Sequence, residues 1–156
     1  RAQMYKGDAD WTLIGAVKNN QRMRIPIFGN GDIDSPEKAL EMKNRYGVDG
    51  VMIGRAAIGY PWIFNEIKHY LKTGMHAPLP GLAERVDAAK FHILKSVEWK
   101  GTVLGILEMR RHYTNYFKGI PNIRNYRNQL VQENTVEGLF GILDEIARLS
   151  VEEIVA

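Results

Sequence analysis

The feature that most limits how this chain can fold is a strand exit that occurs twice. Gly50-Val51-Met52-Ile53 is a short apolar run with the length and flanks of a buried parallel strand, entered just after Gly47 has ended a helix. Gly54-Arg55 closes the strand. Ala56-Ala57-Ile58-Gly59 are small enough to begin a new helix whose first amides point back to the strand end, a geometry that suits a phosphate. Arg55 supplies a fixed charge. Upstream, Ile25-Pro26-Ile27-Phe28 running into Gly29-Asn30-Gly31-Asp32 has the same grammar. Two strand ends with Gly-rich exits imply one ligand site.

In order, the chain opens with RAQMYKGDADW, a polar loop leading to a helix cap at Asp8 or Asp10. A helix is expected over Trp11–Asn20 with Leu13, Ile14 and Val17 on one face. Asp34-Ser35-Pro36-Glu37 is a helix start, because Ser35 can cap free amides, Pro36 fits the first helical position and Glu37 favours the positive helix end. That helix runs to Tyr46. The alternation of helices with strands is the sign of an α/β segment with parallel strands, although two strands are too few for a stable sheet. A further helix is expected from near Pro61 to Lys72, with Trp62 and Phe64 in the core. Residues 73–81 then break all periodicity with Pro and Gly. The expected organisation is an α/β domain over 1–74, a linker over 75–81 and an all-α helical bundle over 82–156.

Within the second half, Leu82, Val86, Ala89, Ile93 and Val97 form one stripe over Leu82–Lys100. Val103, Ile106, Leu107, Tyr113 and Phe117 repeat it over Thr102–Phe117. Pro121 restarts a helix through Tyr126 and Leu130, and Thr135 caps a last one carrying Val136, Leu139, Phe140, Leu143, Ile146 and Leu149. With 156 residues, 45% apolar, the chain can bury a core as one domain or two small ones. It contains no cysteine, which removes disulfides, thiolate metal sites and thiol nucleophiles from this stretch and suits a reducing cytosol. No apolar run is long enough to span a bilayer. The net charge of +3 is a weak pointer to an anionic partner. The first residue is Arg and no signal peptide precedes it, which points to a piece of a longer protein.

The motifs IPIFGNGDI, DGVMIGRAAIGYPWIF, MRRHYTNYFKGIP and YRNQL, in this order and spacing, resemble the bacterial tRNA-dihydrouridine synthases, subgroup B most of all. RAQMYKGDADW resembles the tail of that family's loop after its sixth barrel strand. The resemblance implies a flavin-binding TIM barrel followed by a helical domain that grips tRNA. It also implies a cytoplasmic enzyme that uses FMN, reduced by NADPH, to saturate the C5–C6 bond of a uridine, with a barrel cysteine as proton donor. On that resemblance Ile25–Phe28 is the seventh barrel strand and Val51–Ile53 the eighth. Asn30, Gly31, Asp32, Gly54 and Arg55 then hold the phosphate and ribityl end of FMN, which agrees with phosphate sites after the last two strands of such barrels. The cysteine, the lysine and histidine beside the flavin ring and the first six strands have no counterpart in these residues, so no catalytic residue is assigned. The chain alone is expected to be inactive and to dimerise through its open strands.

Each signal has a plainer alternative. Gly29, Gly31 and Gly54 can serve tight turns alone, and Asp32 can cap a local turn. A structural role for Arg55 needs a carboxylate partner, which the sequence does not identify. His69, His76 and His92 lack metal-ligand spacing. Met109 to Gln132 holds Arg110, Arg111, Lys118, Arg124 and Arg127 without Asp or Glu, interleaved with Tyr113, Tyr116, Phe117 and Tyr126. Stacking planes with phosphate-pairing guanidinium groups suit structured RNA, with Tyr113 and Phe117 assigned to the core. The competing readings are a non-catalytic helical RNA-binding module, and another barrel oxidoreductase that binds the FMN phosphate. A cysteine-bearing barrel upstream separates the first of these from the enzyme.

Overall fold

The computed structural model describes residues 7–149, so the first part of the opening loop, residues 1–6, lies outside the described residues. Helix α1 spans Thr12–Lys18, shorter than expected. Its N-cap position is Trp11, with no side-chain cap, rather than the expected Asp8 or Asp10; Asp10 accepts a hydrogen bond from the Thr12 amide at 2.9 Å in the turn that leads into the helix. The expected apolar face is not the buried one: Leu13 is 74% exposed and Val17 is also exposed. The helix buries Gly15 instead, where an added Cβ would lie 2.7 Å from the Tyr46 ring.

Strand β1, Phe28–Asn30, pairs in parallel with β2, Gly50–Met52, in the register Phe28↔Gly50, Gly29↔Val51 and Asn30↔Met52. The first strand thus begins where the sequence placed its end. Pro26 has no N–H to give to a ladder. Upstream pairing reaches only Ile27, whose amide donates to Asp49 Oδ2 at 2.7 Å and whose carbonyl accepts from the Asp49 amide at 2.9 Å. The second strand ends before Ile53.

Helix α2, Pro36–Tyr46, forms as its signals dictate. Ser35 Oγ accepts from the Lys38 amide at 3.2 Å, Pro36 occupies the first turn, and Gly47 ends the helix at φ 66°. Its Ala39 and Met42 are buried, as is Val48 just beyond. The helix expected to begin at Ala56 is only a 3₁₀ turn, Arg55–Ala57. Gly59 at φ 68° and the restriction that Pro61 places on Tyr60 both oppose continuation. Helix α3 starts later, at Ile63, and runs to Thr73 with Gly74 as its left-handed stop. It buries Ile63 and Ile67, whereas Phe64, expected in the core, is exposed and Trp62 is half-buried.

Contacts divide the described chain into two compact units, one holding residues up to Ala57 with Pro61–Pro78 and the other Ile58–Tyr60 with Leu79 onward. The second unit is helical: α4 Leu82–Lys100, α5 Thr102–Tyr116, α6 Arg124–Gln132 and α7 Val136–Ala147. Its core includes Val86, Ile93, Ile106, Met109, Tyr113, Phe117, Leu130, Leu139 and Leu143. Val103 and Leu107, expected inside, are exposed. The reason is Gly105, where a Cβ would lie 2.7 Å from the Val97 backbone. The close approach of α4 to α5 there turns the face of Gly105, Ile106, Met109 and Tyr113 inward. Thr135 caps α7 by accepting from the Gly138 amide at 3.1 Å, as expected. Among the described residues no helix is long and apolar enough to cross a membrane.

Candidate functional site

A cleft of about 770 Å³ in the first unit is lined by residues 7–9, 30–34, Met52 and 54–56. Asn30, Gly31, Asp32, Gly54 and Arg55 all lie along it. The parallel pairing accounts for this convergence, because the register sets both strand ends on the same edge. Beyond β1 the chain turns through Gly31 at φ 137° and Asp32 at φ 52°. The left-handed region is uncommon for a residue with a Cβ, so Asp32 has to be held by its surroundings. Its Oδ2 accepts from the Ala9 amide at 2.7 Å, and its Oδ1 accepts from Arg55 Nη2. Arg55 therefore has the carboxylate partner that the sequence did not disclose. Its side chain remains 60% exposed.

The glycines have different reasons. At Gly29 a Cβ would lie 1.9 Å from the Trp11 ring, and at Gly31 2.4 Å from Ala9 Cβ, so both permit close packing. A Cβ at Gly54 would meet nothing within 4 Å. Packing does not demand that glycine, and its bare backbone borders the cleft. Trp11, at the expected helix start, is 1% exposed and donates from Nε1 to the Gly31 carbonyl at 3.0 Å. The only sequence signal for that role was a bulky aromatic ahead of a short helix. Among the described residues the lining is electrostatically uneven, with Asp8, Asp32 and Asp34 alongside one cation, Arg55. Carboxylates suit ligand hydroxyls, and Arg55 with the Gly54 backbone suits an anion.

In the second unit the basic residues separate by burial. Arg111, Lys118 and Arg124 are exposed, while Arg110 and Arg127 are half-buried. The Nε atoms of Arg110 and Arg127 are shielded from solvent and without a hydrogen-bond partner, and Arg110 Nη2 donates to Asn134 Oδ1 at 2.9 Å. Tyr113 and Phe117 are core, as expected. Tyr116, expected as a stacking plane, is 3% exposed, which leaves half-buried Tyr126 as the accessible aromatic of that stretch. Burial pushes the Tyr116 phenol up to about 12, and its hydroxyl lies 3.1 Å from His92 Nδ1. His112, which sequence reasoning passed over, packs edge-to-face on His92 with ring centroids 4.6 Å apart. Burial, then the neighbouring His92 and Arg111, lower the His112 imidazole to about 4. Burial, then Arg111 and Lys100, also lower His92. Among the described residues no group of three or more His, Asp or Glu side chains is placed to hold a metal ion.

A family model described as Dihydrouridine synthase (Dus) matches residues 1–151. The chain belongs to the dihydrouridine synthase family. It is 45% identical over 127 residues to tRNA-dihydrouridine synthase B of Pseudomonas putida, covering 81% of this chain and 37% of that protein. It is 43% identical over 129 residues to the synthase B of Pseudomonas aeruginosa, covering 83% of this chain and 38% of that one. A probable tRNA-dihydrouridine synthase 1 of Synechocystis is 39% identical over 145 residues, covering 93% of this chain and 40% of the relative. The matched region thus spans well under half the length of these dihydrouridine synthases.

The cleft is compatible with the phosphate and ribityl part of the flavin that the family resemblance implies. The space beside Gly54 that a Cβ would take is open, and the exposed Arg55 guanidinium borders the same cleft. Asp32 and Asn30 are of the right chemistry for ribityl hydroxyls.

Proposed function

We propose that this chain supplies the C-terminal part of an FMN-dependent tRNA-dihydrouridine synthase, which reduces the C5–C6 bond of a tRNA uridine with electrons from NADPH in the cytoplasm. Its residues 1–74 contribute the last two strands of a TIM barrel, 75–81 a linker and 82–156 a helical tRNA-binding domain. Arg55 and the Gly31 and Gly54 backbone hold the phosphate of FMN, and Asn30 and Asp32 meet its ribityl chain. When bound, FMN supplies the hydride chemistry. The residues here bind and orient its phosphate end, while the exposed Arg111, Lys118 and Arg124 meet tRNA and the half-buried Arg110 and Arg127 shape the surface that presents them.

The observation that carries this reading is the convergence of Asn30, Gly31, Asp32, Gly54 and Arg55 on one cleft at the exits of two parallel strands. Such exits are where barrel enzymes bind phosphate. The test compares the 156-residue chain with a longer protein that includes the preceding barrel. The longer protein is expected to purify yellow and to form dihydrouridine in unmodified tRNA with NADPH. The chain alone is expected to do neither. Dihydrouridine made by the chain alone, or a longer protein with no flavin, overturns the reading.

A further inference from the structure

Apart from the cleft, the structure contains a pocket of about 330 Å³ formed between α4 and α5. Trp99 lines it and is 83% exposed, a large apolar surface left in water. Lys95, Lys100 and Arg111 line it too; Lys95 pairs with the exposed Glu98 beside the pocket at 2.6 Å, and Lys100 and Arg111, the latter at 3.9 Å, share the lining carboxylate Glu108, so three cations meet two carboxylates. Lys100 Nζ sits 5.2 Å from the Trp99 ring centroid and pairs with Glu108. The Arg111 guanidinium is oriented by His112, to whose Nε2 it donates from Nε at 3.3 Å. The walls are fixed by the tight approach at Gly105 and by Ser96 Oγ donating to the Gly105 carbonyl at 3.0 Å.

We propose that this pocket receives one unpaired nucleotide of the bound RNA, its base stacked on Trp99 and its phosphate paired with Lys95 and Arg111. The inference rests on the RNA reading above and adds to it a site that the basic stretch alone did not reveal. Sequence-tolerant recognition of single-stranded nucleic acid combines an exposed aromatic plane with a cationic track, and both are present here on one rigid helix pair. A duplex hides its base faces, so the nucleotide must be unpaired. The two lysines beside Trp99 argue against a protein partner, since the cores of protein interfaces are depleted in lysine, and the exposed ion pair of Lys95 can be exchanged for a phosphate. Burial and the neighbouring Arg111 disfavour the charged forms of the half-buried His92 and His112, so the pocket's positive charge comes from its lysines and arginine.

The experiment measures binding of an unmodified tRNA transcript to the 156-residue chain and to its Trp99→Leu and Lys95→Gln variants, with circular dichroism as a check on folding. The transcript is expected to quench the tryptophan emission of the parent. Loss of one stacking contact should weaken the Trp99→Leu variant about 5- to 150-fold. Lys95→Gln should reduce the salt dependence of binding. If the parent binds and Trp99→Leu binds equally well, the pocket proposal fails and the RNA reading stands. If the parent does not bind tRNA, both fail. If Trp99→Leu abolishes self-association while leaving RNA affinity intact, the pocket meets a second protein copy and the proposal is overturned.

Discussion

Arg55 donates from Nη2 to Oδ1 of Asp32, joining the exits of the two paired strands across 23 residues of sequence. The other carboxylate oxygen of Asp32 holds the Ala9 amide, so one side chain ties three segments around the cleft. The two members of the pair are therefore not equivalent. Asp32 organises the loops, while Arg55 keeps an exposed guanidinium at the cleft.

In the longer protein, Arg55→Ala should weaken FMN binding by roughly ten- to a hundredfold, the loss of one charge-assisted hydrogen bond of about 1.5–3 kcal/mol. Its effect on stability should stay within about 1 kcal/mol, because exposed ion pairs contribute little. Asp32→Ala should lower the melting temperature more, since it removes the acceptor of both the Ala9 amide and Arg55 Nη2. Flavin fluorescence titration and thermal melts read these two effects separately. Unchanged flavin occupancy in a folded Arg55→Ala protein would make the arginine purely structural.

The two-stranded sheet leaves large apolar side chains in solvent, with Phe28 66% and Met52 58% exposed. Unpaired strand edges recruit further strands. The isolated chain should self-associate at high concentration, and Phe28→Lys should shift it toward monomer. Light scattering across a concentration series decides this, and a monodisperse monomer at the highest concentration counts against it.

Burial separates the basic residues into two testable groups. Replacing exposed Arg111, Lys118 and Arg124 together with Gln should flatten the salt dependence of tRNA binding by roughly two log-log units, using a coefficient of about 0.7–0.9 per lost phosphate contact. Arg110→Gln removes the bond to Asn134 and should chiefly lower the melting temperature. A full-sized slope change from Arg110→Gln alone would reverse that assignment.

His112 is held at about 4 in the folded chain, below the ordinary histidine value of 6.5. Below 6.5 the unfolded chain binds more protons than the folded one, so stability rises with pH across that interval and is lost as pH falls from 6.5 toward 4. His92 shifts in the same direction. Melting temperature should therefore fall on acidification through this window, and His112→Gln should make the decline shallower. Parallel curves for parent and variant would remove His112 as a source of the acid sensitivity.

Local chemistry written in adjacent residues was legible in the sequence. Ser35, Pro36 and Gly47 fix the ends of α2, and Thr135 fixes the start of α7, because caps and left-handed stops depend on a few neighbouring atoms. The glycine-rich exits at Asn30-Gly31-Asp32 and Gly54-Arg55 were visible for the same reason. What only tertiary structure decided were the relations between distant segments. Apolar spacing put Leu13, Val103 and Leu107 inside, yet the close approaches at Gly15 and Gly105 select other faces for burial. Nothing near Arg55 in sequence names Asp32 as its partner. Nor does the arginine count of residues 109–132 reveal that Arg110 and Arg127 are partly withdrawn from solvent while Arg111 and Arg124 are exposed. Periodicity tells which faces are apolar; the closest backbone approaches then determine which face is covered, and those approaches exist only once the chain has folded.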